Sequence, residues 1–111
     1  MDYKELADIL GENLLKTPQY KALENSRQEL EEDVSAQVLQ QSLDELTQEL
    51  ISLQKEGKDY PEDKLKNYSL IKERMTVNKS LQNFNNAQEN FKSLIHEINN
   101  IIEKKTGVKI N

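Results

Sequence analysis

Toward its end this chain repeats apolar residues at Val77, Leu81, Phe84, Phe91, Ile95, Ile98 and Ile102, with Gln88 in the same row. The spacings alternate four and three, the repeat that holds one face of a helix against a partner helix. Neither Pro nor Gly falls between Glu62 and Thr106. The pattern therefore predicts one uninterrupted helix of about 43 residues, on the order of 65 Å at 1.5 Å per residue. Such a helix needs cover from the rest of the chain or from a second one.

The remaining segments also read as helices. Asp2 is a good N-cap for a first helix running to Lys16, with Tyr3, Leu6, Leu10 and Leu14 on one face and Ile9 beside them. Thr17-Pro18 predicts a restart, a capping hydroxyl followed by Pro at the first helical position. The second helix carries Tyr20, Leu23 and Leu30 and ends in an acidic cluster, with Asp33 as the N-cap of the next helix. In the third helix Ala36, Leu39, Leu43, Leu46, Leu50 and Leu53 recur at three and four, and Gly57 stops it. Gly57 and Pro61 bracket one tight turn, so the third and fourth helices are expected to fold back as an antiparallel hairpin.

Placing Leu53 near Leu65 puts Leu39 near Lys79, so the third helix runs out where the strongest stripe of the fourth begins. The two short N-terminal helices are expected to pack on that distal half. The fold class is thus all-α, one helical domain over residues 1–111. The stripe from Val77 to Ile102 is read as a self-association or partner interface. Leu94 and Ile101 widen it beyond what one short helix covers, so a homodimer or higher oligomer is expected.

Composition narrows the function. Charged residues make up 32% of the chain and hydrophobic ones 35%, which suits exposed helical hairpins better than a thick core. Cysteine is absent, which excludes disulfides and thiolate-held metals from this chain. The N-terminus lacks the order of a signal peptide, and no apolar run approaches a membrane span, so the expected location is the cytoplasm. Residues 1–57 hold 13 acidic and 5 basic side chains, and residues 58–111 hold 7 and 10. Complementary packing of the two halves accounts for that asymmetry. The basic residues are spread singly with no aromatic platform, so nucleic acid is not expected as a direct partner.

No catalytic constellation emerges. His96 is the single histidine and sits on the outward side of the last helix. Carboxylates such as Glu45 and Glu49 are four apart, but the Glu-x-x-His of di-iron bundles is missing, since Ser93 precedes His96 by three. Phosphate loops and nucleophile elbows are also missing. The chain reads as non-enzymatic and without cofactors.

Several pieces together resemble the YlbF/YmcA/YheA family of small all-helical bacterial proteins. They are Thr17-Pro18-Gln19-Tyr20, Leu53-Gln54-Lys55-Glu56-Gly57-Lys58, and Val77-Asn78-Lys79-Ser80-Leu81, followed by Phe84, Ala87 and the apolar tail from Leu94 to Ile102. The resemblance implies a helical protein that self-associates. For its YlbF and YmcA branches it implies a regulatory complex affecting competence, sporulation and biofilm formation through RNase Y-dependent RNA processing. Members of that complex use cysteines in holding iron–sulfur clusters, and this cysteine-free chain cannot follow them there. The expectation is a regulatory adaptor acting through helix-mediated protein contacts. Two rival readings are a structural or chaperone-like oligomer and a helical RNA-binding protein.

Overall fold

The computed structural model describes residues 1–110, and all of its regular structure is helical. Five helices follow one another: α1 (Tyr3–Leu14), α2 (Pro18–Glu32), α3 (Val34–Lys55), α4 (Glu62–Thr76) and α5 (Lys79–Thr106). Among the described residues 84% are helical and none forms a strand.

The boundaries follow local chemistry. The Asp2 carboxylate accepts from the Glu5 amide at 2.9 Å and starts α1. The Thr17 hydroxyl donates to the Leu14 carbonyl at 2.7 Å and accepts from the Tyr20 amide at 3.2 Å, closing one helix and opening the next. Gly57 adopts φ +71°, and the Lys58 amide reaches back to the Leu53 carbonyl at 3.0 Å. That left-handed residue with its wrapped hydrogen bond is the usual glycine stop of a helix. Gly107, at φ +74°, ends α5 in the same way.

One expected element is corrected. The chain after Glu62 is two helices, because the backbone breaks at Val77 and Asn78. Val77 caps α4, and the Asn78 side chain accepts from the Leu81 amide at 2.9 Å as the N-cap of α5. Thr76 and Val77 are β-branched and Asn78 bonds its own backbone locally, so three successive residues disfavour the helix interior. A sequence free of Pro and Gly permits a continuous helix but does not enforce one.

The chain divides into two compact units. One comprises residues 29–82, the other residues 1–28 with 83–111. In the first, α3 and α4 form the antiparallel hairpin. Lys64 pairs with Glu49 across it, and that contact raises the lysine's pKa above its ordinary value. Ala36, Leu46 and Leu81 are this unit's buried apolar residues, with Leu39, Leu43, Leu50 and Leu53 half-buried around them.

In the second unit α2 packs on α5. The Tyr20 and Phe91 rings lie 6.1 Å apart at 59°, a tilted aromatic pair. Pro18, Gln19 and Ala22 share a groove with Asn90, Ser93 and Leu94. Lower residues of α2 therefore meet higher residues of α5, and the antiparallel register brings Ser26 level with Ala87. Those two small residues are the buried ones of this unit, at 5% and 6% exposure. Close helix approach selects small side chains. The Ser26 hydroxyl donates to the Leu23 carbonyl of its own helix, so its burial leaves no unmet donor.

The packing of α2 on α5 agrees with the sequence expectation, whereas α1 differs. It buries no residue: Leu6, Ile9 and Leu10 stay exposed, and Leu14 is half-buried. The face of α5 that the pattern offered to both short helices is taken by α2.

Two stability outcomes follow. Leu46→Asp places an unpaired carboxylate at the most buried leucine of the hairpin, and a thermal melt should show a loss of several kcal/mol or outright unfolding. Gly11→Ala should act in the opposite sense. Nothing lies within 4 Å of a methyl added at Gly11, so the helix gains about 0.5–1 kcal/mol of backbone entropy relief, readable as a raised melting temperature.

Candidate interaction surface

The break that divides the last segment lies against the break between α2 and α3. Asp33 is the N-cap of α3 and accepts from the Ala36 amide at 3.1 Å. Its second carboxylate oxygen accepts from Asn78 Nδ2 at 3.4 Å, and the Ser80 hydroxyl donates to the same carboxylate. Asn78 in turn caps α5. Two capping side chains, one from each junction, thus hold each other. Ser80 first, then the Ala36 amide, lower the Asp33 pKa below its usual value, with Asn78 and Ser35 adding to the effect and partial desolvation opposing it. The junction is polar at its centre, and Ala36 and Leu81, both buried, follow one turn into each helix.

The predicted interface residues divide between the two units. Val77 and Leu81 fall in the unit of residues 29–82, and the other six fall with residues 83–111. Val77 is the cap of α4 and 73% exposed, while Leu81 is buried. Phe84, Gln88, Phe91, Ile95 and Ile98 are half-buried along α5. Phe91 is occupied by its contact with Tyr20. At the end of α5 the cover runs out, where Ile101 is 62% and Ile102 42% exposed.

Sequence reasoning missed two features. The first is the capping role of Asn78 at the start of α5. A β-branched pair followed by Asn, with Leu81 three residues on, was the signal for a break and a cap. The second is the free apolar face of α1. Nothing in the sequence marks that face as uncovered, because coverage depends on where α2 and α5 lie.

Among the described residues no group of three or more His, Cys, Asp or Glu side chains is placed to hold a metal. Glu24, like Asp33 and Lys64, owes its displaced titration to a structural partner, here the Arg27 guanidinium that lowers it. No helix among the described residues is long and apolar enough to cross a membrane.

Comparison with known proteins agrees with this architecture. Residues 3–106 match the family described as control of competence regulator ComK, YlbF/YmcA. A UPF0342 protein of Lactobacillus acidophilus is 26% identical over 98 residues, covering 88% of this chain and 84% of the relative. The crystal structure of Bacillus subtilis RicA, determined in complex with RicF, superposes with a TM-score of 0.80 at 22% identity. It covers 93% of this chain and 90% of that one, a likeness of fold.

The Asp33 junction makes a pH-dependent prediction. Its folded pKa lies below that of the unfolded chain, so the stabilisation is present above the ordinary aspartate value of about 3.9 and is lost as pH falls through the folded value. Asp33→Asn keeps a capping oxygen but does not titrate. The melting temperature of the wild type should therefore fall further between pH 6 and pH 2 than that of Asp33→Asn. Equal falls would separate the carboxylate from the junction.

Proposed function

This chain belongs to the YlbF/YmcA family, and we propose that it is a non-enzymatic regulatory adaptor working through helix-mediated protein contacts. The observation that carries the reading is the incompletely covered apolar surface of α5 and α1 in a chain whose own core is thin. Apolar rows of this extent serve as contact surfaces. Bacillus subtilis RicA, a protein of the same fold, was crystallised with RicF, which supports a protein partner for this fold. The family's link to competence control supports a regulatory role, and RNA processing through RNase Y is the pathway the resemblance suggests. The absence of cysteine keeps any cluster-dependent part of that role away from this chain.

On this reading the second half of α5 is a contact surface for a second copy or a regulatory partner. Phe84, Phe91, Ile95 and Ile98 are half-covered and Ile102 is open. Burying one such side chain fully contributes about 1.5–3 kcal/mol. Ile102→Glu tests the surface without touching the Tyr20–Phe91 contact. Affinity capture from the native cell with wild-type chain should return a defined protein at fixed stoichiometry, and the Ile102→Glu chain should lose at least tenfold of it while keeping its helical dichroism. Recovery of heterogeneous unfolded clients favours a chaperone-like clamp instead. A salt-dependent shift of RNA by the pure chain favours direct nucleic-acid binding. Equal capture by both chains would remove the end of α5 from the surface.

A further inference from the structure

A groove opens where the end of α2, the first half of α3 and the first turn of α5 meet, wholly within the unit of residues 29–82. It holds about 460 Å³, inside the roughly 300–1,000 Å³ of small-molecule sites. Leu30 of α2, Ala36 of α3 and Leu81 of α5 supply an apolar floor. Ala36 and Leu81 are buried, at 1% and 9% exposure, and Leu30 is half-buried. The floor is thus part of the packed junction that Asp33 and Asn78 cap.

The rim carries amides and carboxylates. Gln37, Gln40 and Gln41 line it together with Glu31, Asp44 and Glu45, and no Lys, Arg or His does. The Gln37 amide donates to the Glu31 carbonyl, tying the start of α3 to the end of α2. The Gln40 amide donates to one Asp44 carboxylate oxygen at 2.9 Å, and the Gln41 amide to one of Glu45 at 3.3 Å. Each carboxylate is thereby steadied along α3 and keeps a second oxygen with acceptor capacity. Elsewhere on the chain, acids on helix faces meet a cation one turn away, as Glu24 meets Arg27, Glu62 meets Lys66 and Glu89 meets Lys92. Neither Asp44 nor Glu45 belongs to an ion pair among the described residues. Along α3 the sole cation is Lys55, its last residue. Solvation accounts for acids on an exposed helix, but not for an uncompensated negative rim beside an apolar hollow.

We propose that this groove binds a small organic cation of the arylalkylamine class, its apolar ring on Leu30, Ala36 and Leu81 and its ammonium at Asp44. Ala36, Gln40 and Asp44 stand four apart on one face of α3. Ala36 to Asp44 is on the order of 12 Å of helix rise, the scale of an aromatic ring with a four-carbon chain. The ammonium brings three donors and no acceptor, which suits a rim of carboxylates. A protein helix laid in a groove uses a row of anchors at i, i+3 or i+4 and i+7. Three floor residues converging at one place accept a single apolar group, so the geometry favours a small molecule over a protein segment.

Titration of the full chain, followed residue by residue through amide chemical shifts, tests the site. The probes are 4-phenylbutylamine, the uncharged 4-phenylbutan-1-ol and the anionic 4-phenylbutyrate. The amine should shift the amides of Leu30, Ala36, Gln40 and Leu81 together and saturably. The alcohol should bind at least about fivefold more weakly, and the carboxylate should leave these amides in place. Asp44→Asn, which retains an acceptor for Gln40, should weaken the amine about two- to fivefold, the scale of an exposed ion pair, and leave the alcohol unchanged. Glu45→Gln should weaken it less, because Glu45 also lines the hairpin groove that contains Lys64 and Arg74. Glu73→Gln removes one acid of α4 outside the groove and should change nothing. Equal affinity for amine and alcohol, shifts spread over other acidic faces without saturation, or an equal loss in Glu73→Gln would overturn the proposal. So would a helical peptide of Leu and Lys that shifts these amides when the amine does not, which gives the groove to a protein segment. The amine–alcohol comparison uses the wild type, so a variant that loses its helical dichroism does not shield the proposal from refutation. Ile102, the position that partner capture tests, lies in the other unit, so the two experiments succeed or fail separately.

Discussion

The contact between Asp33 and the Asn78–Ser80 segment joins the starts of α3 and α5. Each of these side chains first solves a local problem, the unmet amides at the start of α3 and α5. The carboxylate then has capacity to spare, and it takes donors from Asn78 and Ser80. A capping group that accepts from two places ties two helix starts together. Ala36 and Leu81, one turn into each helix, are buried beside it. A charged acceptor with several donors is satisfied without full burial, which is why the junction tolerates solvent at its edge.

Away from that junction the chain holds itself together with modest means. Among the described residues four apolar ones are buried, and two of them are alanines. In the α2–α5 pairing, small residues allow close approach and one tilted aromatic pair fixes the level. The ion pair between Lys64 and Glu49 marks the register of the α3–α4 hairpin, although an exposed pair of this kind contributes little to stability. A core this thin leaves large apolar residues of α1 and of the end of α5 exposed. Their openness and the adaptor reading are two sides of one property: side chains not used internally are free for another protein.

Much of the fold was legible because caps and stops act locally. Asp2, Thr17-Pro18, Asp33, Gly57 and Gly107 each declare a helix boundary through a hydrogen bond within a few residues or a backbone angle that glycine alone adopts readily. Leu46 was visible as core because it sits midway in a row of leucines at three and four. Asn78 was legible in principle, since β-branched neighbours and a capping Asn carry their own signal. The long apolar row across it masked that signal, because a heptad stripe reads the same whether the backbone beneath it is whole or broken.

The sequence by itself determined an all-helical chain with its turn at Gly57–Pro61 and its caps. Those properties arise from periodicity, propensity and residue type within a few turns. Tertiary structure decided which apolar rows were used. Leu81 and Phe91 look alike in the stripe, yet one is buried and the other half-covered by Tyr20. The rows of α1 and α5 are equally apolar on paper, and α2 occupies one of them and leaves the other open. An amphipathic pattern states that a face needs cover. Only the packing of helices far apart in sequence determines what covers it, because every row competes for the same few neighbours.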